Sequence, residues 1–153
     1  MLSLDHKIPP PVIALVCAAG AWLLSRMMPA LVFEVPARLA ITWTLVGMGI
    51  ALDIAGLLYF RMAKTTFNPL SPHKSSAIVQ SGPFKFTRNP MYLGMVLELL
   101  GLCVYLANPL SGAAVVAFVA YITRFQIIPE ERLLLSKFGE QYAQYTKSVR
   151  RWI

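Results

Sequence analysis

The sequence predicts an all-α integral membrane protein, and three observations predict it. Hydrophobic residues make up 57% of the 153 residues and charged residues only 14%, where a soluble domain carries about 25% charged residues. Four apolar stretches, each close to the length of a bilayer-spanning helix, are separated by shorter polar ones. The net charge of +7 is also unevenly placed. Arg61, Lys64, Lys74, Lys85 and Arg88 lie between the second and third stretches with no acid among them. Arg124, Arg132, Lys137, Lys147, Arg150 and Arg151 lie at and beyond the end of the fourth, and only Arg26 and Arg38 lie around the first linker. Basic residues gathered in alternate linkers follow the positive-inside rule, so the charge belongs to a membrane surface and not to a nucleic-acid partner.

The elements follow in order. Lys7 and the three prolines after it, with no small-residue cleavage site beyond, do not read as a cleaved signal. The first span is expected at about 11–31, with Arg26 snorkelling toward a headgroup. The second, at 39–60, is long enough to cross with some tilt. The third, at 91–107, and the fourth, at 111–128, are near the lower limit for spanning, and Asn108-Pro109 between them predicts a tight helical hairpin. These are about four crossings in a single domain of 153 residues. They leave loop 61–90, tail 129–153 and both termini on the cytoplasmic side, of a bacterial inner membrane in our reading. In the tail, Pro129 suits a helix start and Glu130-Glu131 its first turn. Leu134, Phe138, Tyr142, Tyr145, Val149 and Trp152 recur at steps of three and four, as one face of an amphipathic cytoplasmic helix bent at Gly139. Such a helix lies on the membrane surface or covers a cytoplasmic site.

No nucleophile elbow, phosphate-binding loop or dinucleotide glycine fingerprint is present. His6 and His73 are far apart, and Cys17 and Cys103 sit inside apolar runs, so no metal site is expected. Two acids fall inside spans. Asp53, in "GMGIALDIAG", lies on a small-residue packing stripe. Glu98 shares a helical face with Gly94, Gly101 and Tyr105, and it either hydrogen-bonds across a helix interface or serves the chemistry. The stretch "SGPFKFTRNPMYLGM" (81–95) brings a guanidinium, Arg88, to the entrance of the third span, with Asn89 able to cap and Pro90 fitted to the helix start. Helix N–H groups and a forked donor together suit a small anion. A positive-inside arginine beside a helix start accounts for the same residues without a ligand.

"GPFKFTRNPMYLG", followed about forty residues later by "PEERLL" and then by "FGEQYAQYTKSVRRW", resembles the isoprenylcysteine carboxyl methyltransferase and phospholipid methyltransferase superfamily, over residues 60–153. The resemblance implies a membrane-embedded methyltransferase that uses S-adenosylmethionine on a lipid, lipidated or hydrophobic small-molecule acceptor, such as an isoprenylcysteine carboxylate or a phospholipid amine. It implies a cofactor site formed by Arg88, Asn89, Pro90, Tyr92, Gly94, Glu130 and Glu131. Gly82, at the head of the motif, and His73, a polar loop residue upstream of it, are expected to join that site. Arg88, Glu131 and Glu98 are the residues expected to serve catalysis. Asn89 stands where better-known members carry histidine, and it cannot titrate. Two other classes share the architecture: a nicotinamide-dependent membrane reductase, and a four-span scaffold or assembly protein without catalysis.

Overall fold

A computed structural model of the chain describes residues 5–63 and 77–153. His73, Lys64 and Lys74 lie outside the described residues, as does most of the loop that precedes the Arg88 motif. Among the described residues every regular element is helical.

Prolines and left-handed residues set the helix boundaries. Helix α1 (Pro10–Met27) starts with proline at its first position, where the missing N–H costs nothing. It ends four residues before the expected 31, and a turn of 3₁₀ helix, Pro29–Leu31, follows. Arg26 lies in its last turn, stacked on Trp22 with the guanidinium carbon 5.4 Å from the ring centre. Helix α2 (Arg38–Met62) follows. Helix α3 (Pro90–Leu106) again opens on proline and stops where Ala107 turns left-handed at φ 49°. The hairpin expected at Asn108-Pro109 is a 3₁₀ turn, Pro109–Ser111. The Asn108 side chain accepts from Leu110 N–H (3.0 Å) and donates to the Met28 carbonyl (2.9 Å), tying the hairpin to the end of α1.

Helix α4 (Gly112–Ile122) does not end at the expected boundary near 128. It continues through a π-helical turn, Thr123–Ile127, into α5 (Ile128–Phe138), so one helical path runs from Pro109 to Phe138. Pro129 therefore sits inside a continuous helix. Proline inside a helix removes one ladder bond and crowds the carbonyl before it, and widening the preceding turn is a way to absorb both. Gly139, at φ 52° and ψ −127°, breaks the tail where a bend is expected, and α6 (Glu140–Ser148) follows. A side chain is strained at that φ, and glycine is not.

Three of the helical paths, Pro10–Met27, Arg38–Met62 and Pro109–Phe138, are long and apolar enough to cross a membrane, and α3 is a shorter apolar helix. The protein is an integral membrane protein. Leu15, Val16, Trp43, Ile54 and Val116 point outward, as side chains facing lipid do. The main core joins α1, α3 and the α4–α5 path through Ile13, Tyr92, Met95, Val96, Leu99, Phe118, Ile122 and Ile127. A second cluster, of Tyr142, Tyr145 and Val149 in the tail, packs on Ile78, Leu134 and Phe138. Trp152, assigned to that face by the periodicity, packs on the main core instead and donates from its indole to Thr123 Oγ1 (3.2 Å). The most extensive helix contact is α2 on α3. Gly49 and Gly94 make it possible: a Cβ on Gly94 would lie 2.7 Å from the Gly49 carbonyl oxygen, and one on Gly49 2.6 Å from the Gly94 carbonyl oxygen.

Candidate functional site

The site is assembled from three places in the chain: residues 84–92 at the start of α3, the first turns of α5, and residues 142–151. A 3₁₀ turn, Gly82–Lys85, leads into the first of these. Gly82 has φ 58°, and a Cβ there would run into the ring of Tyr59 on α2. Its glycine is what lets the loop turn against α2.

At the mouth of α3, Asn89 occupies the cap position, but its side chain does not cap the helix. Its amide donates instead to the Arg151 carbonyl (2.9 Å). Thr87 Oγ1 donates to the same carbonyl (3.3 Å) and accepts from Asn89 N–H (3.1 Å), and the Arg88 N–H donates to the Arg150 carbonyl (3.0 Å). Residues 87–89 and 150–151 thus form a backbone clasp that fixes where Arg88 points.

The Arg88 guanidinium meets Glu131 from α5, with Nη2 3.1 Å from Oε1. Arg151 reaches the same carboxylate as a fork, Nε to Oε1 at 3.0 Å and Nη2 to Oε2 at 2.7 Å. The side chain of Arg88 is 11% exposed and that of Glu131 18%. The Arg88 Nε is buried and has no hydrogen-bond partner. Two cations share one carboxylate, so the cluster carries a net positive charge. Tyr142 lies beside it. Burial pushes its phenol up to about 12; the Glu131 charge adds to the rise, and the Arg88 charge and hydrogen bond oppose it. Tyr145, raised by burial first and by Tyr142 second, donates to the Phe84 carbonyl (2.7 Å) and anchors α6 over the loop.

Glu130 and Glu131, neighbours in sequence, serve different partners. Tyr92, in the first turn of α3 and buried, donates to Glu130 Oε1 at 2.8 Å. Adjacent helical residues point about 100° apart, which sends Glu130 to the core side and Glu131 to the arginines. Because the helix is continuous here, neither acid sits at a free helix end, and the dipole at a helix start does not account for them.

The expected residues therefore divide. Arg88, Asn89, Pro90, Tyr92, Glu130 and Glu131 come together. Gly82 supports the loop beneath them. Gly94 and Glu98 lie instead along the α2–α3 seam. A Cβ on Gly94 would strike the Asp53 carboxylate, and one on Gly49 would lie 2.7 Å from Glu98 Cγ. Asp53 Oδ1 is buried there without a partner. Glu98 is about 12 Å along the axis from Pro90 at 1.5 Å per residue. Arg151 and Tyr142 belong to the cluster without having been singled out for it. Tyr142 was legible only as an apolar-face residue, and Arg151 only as one of several tail cations.

Comparison with known proteins places this geometry in context. The sequence pattern of the phospholipid methyltransferase family matches residues 37–141. An uncharacterized protein of Haemophilus influenzae is 44% identical over 63 residues, covering 41% of this chain and all of that one. Protein-S-isoprenylcysteine O-methyltransferase A of Arabidopsis thaliana is 31% identical over 117 residues, 70% of this chain and 58% of its own. The Homo sapiens protein-S-isoprenylcysteine O-methyltransferase is 32% identical over 90 residues, 57% of this chain and 32% of its own. Among solved structures, a eukaryotic intramembrane Ras methyltransferase, isoprenylcysteine carboxyl methyltransferase, superposes with a TM-score of 0.54 at 26% identity, over 96% of this chain and 54% of that one. The chain thus spans about half the length of the solved relative and of the Arabidopsis enzyme.

Proposed function

The chain belongs to the phospholipid methyltransferase family, and from that premise we propose that it is an S-adenosylmethionine-dependent methyltransferase. Its acceptor is a lipid, a lipidated molecule or a hydrophobic small molecule reached from within the bilayer. The observation that carries the proposal is the cluster of Arg88, Glu131 and Arg151 beside Tyr142, at the membrane-facing start of α3.

The residues present fit the cofactor. Arg88 keeps a buried guanidinium N–H without a partner, a donor suited to a carboxylate. The two arginines outweigh the one carboxylate, so an anion entering the cluster balances it. Tyr142 and Tyr145 supply aromatic surface next to it. When bound, S-adenosylmethionine supplies a methyl group already activated on a sulfonium. What remains for the protein is alignment of the acceptor and exclusion of water. Arg88 would orient the cofactor's amino-acid end, and the Tyr142–Tyr145–Val149 cluster would cover that end from the cytoplasm. An amine acceptor must first lose a proton, and the three acids nearest the site are otherwise engaged: both oxygens of Glu131 are held in ion pairs, Glu130 is turned to the core side against Tyr92, and Glu98 faces α2. An acceptor atom that is already anionic, such as the carboxylate of a prenylated cysteine, needs no base and is the acceptor this arrangement favours.

In this reading the chain crosses a bacterial inner membrane four times with both termini cytoplasmic, so the cluster faces the cytoplasmic pool of cofactor. The test is methyl transfer from labelled S-adenosylmethionine by purified protein, offered membrane lipid extract and, separately, prenylcysteine analogues. Labelled product from the prenylcysteine analogue is expected. Binding of NADPH with no binding of S-adenosylmethionine would overturn the proposal in favour of a reductase, and binding of neither would favour a scaffold.

A further inference from the structure

We propose that Arg151 is a positioning residue of the ligand site: by taking both oxygens of Glu131, it keeps the Arg88 guanidinium open to an anion carried by the ligand. The inference rests on the cofactor reading above and assigns a role to a residue outside the part of the chain that the family pattern matches.

The geometry divides the work unequally. Arg151 makes the forked contact, at 3.0 and 2.7 Å, which is the arrangement that best matches guanidinium to carboxylate. Arg88 is left with one ion-pair contact at 3.1 Å, the hydrogen bond to Tyr142 and an unused Nε. Arg151 is the more exposed of the two, 36% against 11%. The outer arginine therefore neutralises the acid, and the inner one keeps its charge for a ligand. If Arg151 lost its side chain, both oxygens of Glu131 would be available to Arg88. The two would then pair fork to fork, use the free N–H and cancel each other's charge. A ligand carboxylate would have to break that pair to enter.

The side chain can be changed without undoing the fold around it. Residues 150 and 151 are held to 87–89 through their backbone carbonyls, Val149 is buried in the cluster with Tyr142 and Tyr145, and Trp152 is bonded to Thr123. None of these contacts uses the Arg151 guanidinium.

The test is calorimetric titration of the full chain in detergent with S-adenosylhomocysteine and with its decarboxylated analogue, which keeps the amine and lacks the carboxylate. Arg151→Gln should weaken S-adenosylhomocysteine about tenfold or more, the range expected for a charge-assisted contact. It should leave the decarboxylated analogue unchanged, and it should cost nothing further in an Arg88→Ala background. Arg151→Lys, which keeps the charge but not the fork, should lose less and with the same selectivity, and it serves if the glutamine variant does not fold. Unchanged affinity for S-adenosylhomocysteine in a folded Arg151→Gln protein, equal loss for both ligands, or a loss that adds to that of Arg88→Ala would each overturn the inference while leaving the cofactor reading intact. Failure of the unaltered protein to bind either ligand would instead overturn the cofactor reading, and this inference with it.

Discussion

Arg88 and Glu131 make opposite demands on a substitution. Replacing Arg88 with alanine removes the donor that the proposal assigns to the ligand, and cofactor binding should weaken by about 1.5–3 kcal/mol, the worth of a hydrogen bond to a charged group. Arg88→Lys should do little better, because an ammonium cannot reproduce a planar fork. Calorimetry decides: unchanged affinity in a folded Arg88→Ala protein removes the residue from the site. Replacing Glu131 with glutamine leaves Arg88 and Arg151 facing each other without a counter-charge, so both methyl transfer and the melting temperature should fall. Glu130→Gln keeps an amide oxygen for the Tyr92 hydroxyl and should cost little of either. Both variants are compared by activity and thermal unfolding in one detergent, and equal losses would contradict the division of roles. Arg88 and Glu131 were legible in the sequence because each lies in a motif whose residue types suit an anion or a cation. Arg151 was not. Its partner is twenty residues earlier, and what brings them together is the turn at Gly139, whose direction no spacing encodes.

The helices were legible where apolar length and proline or glycine punctuation agree, as at Pro10, Pro90, Asn108-Pro109 and Gly139. The join between α4 and α5 was not. Pro129 reads as a helix start, because in most contexts proline does begin a helix, and only the π-helical turn at Thr123–Ile127 lets the path run through it. The small-residue stripe around Asp53 did point to a packed seam, and the contact between α2 and α3 is that seam; Gly94 and Glu98, expected at the site, lie along it. It supports a prediction at its own scale. Gly94→Ala would drive a methyl group to within 2.7 Å of the Gly49 carbonyl oxygen and into the Asp53 carboxylate. Forcing the seam apart should destabilise the protein by about 1–3 kcal/mol, the usual cost of overpacking. Gly20→Ala on α1 is the control. Nothing lies within 4 Å of a Cβ there, so the change should be neutral or stabilising by about 0.5 kcal/mol. The melting temperature should fall for Gly94→Ala and not for Gly20→Ala; a Gly94→Ala protein as stable as the parent would mean that the seam is looser than its backbone suggests.

For the whole molecule, the distribution of basic residues predicts the orientation. With Cys17 and Cys103 replaced, a cysteine at position 85 should react with an impermeant maleimide only from the cytoplasmic side, and one at position 110 only from the opposite side. Both positions are exposed. Labelling of position 85 from outside would invert the topology and separate the cluster from the proposed cofactor. The clasp between residues 87–89 and 150–151 bears on the order of events in the cell. It joins parts of the chain more than sixty residues apart, with α3, the α4–α5 path and α6 lying between them. During synthesis the start of α3 emerges long before its partner does. The intervening helices can be threaded into the bilayer while Arg88 still lacks both the backbone that fixes it and the guanidinium that occupies Glu131. Under the proposed function, membrane insertion should therefore precede ligand competence, and a nascent chain arrested before residue 150 is expected to be integrated in the bilayer and catalytically silent.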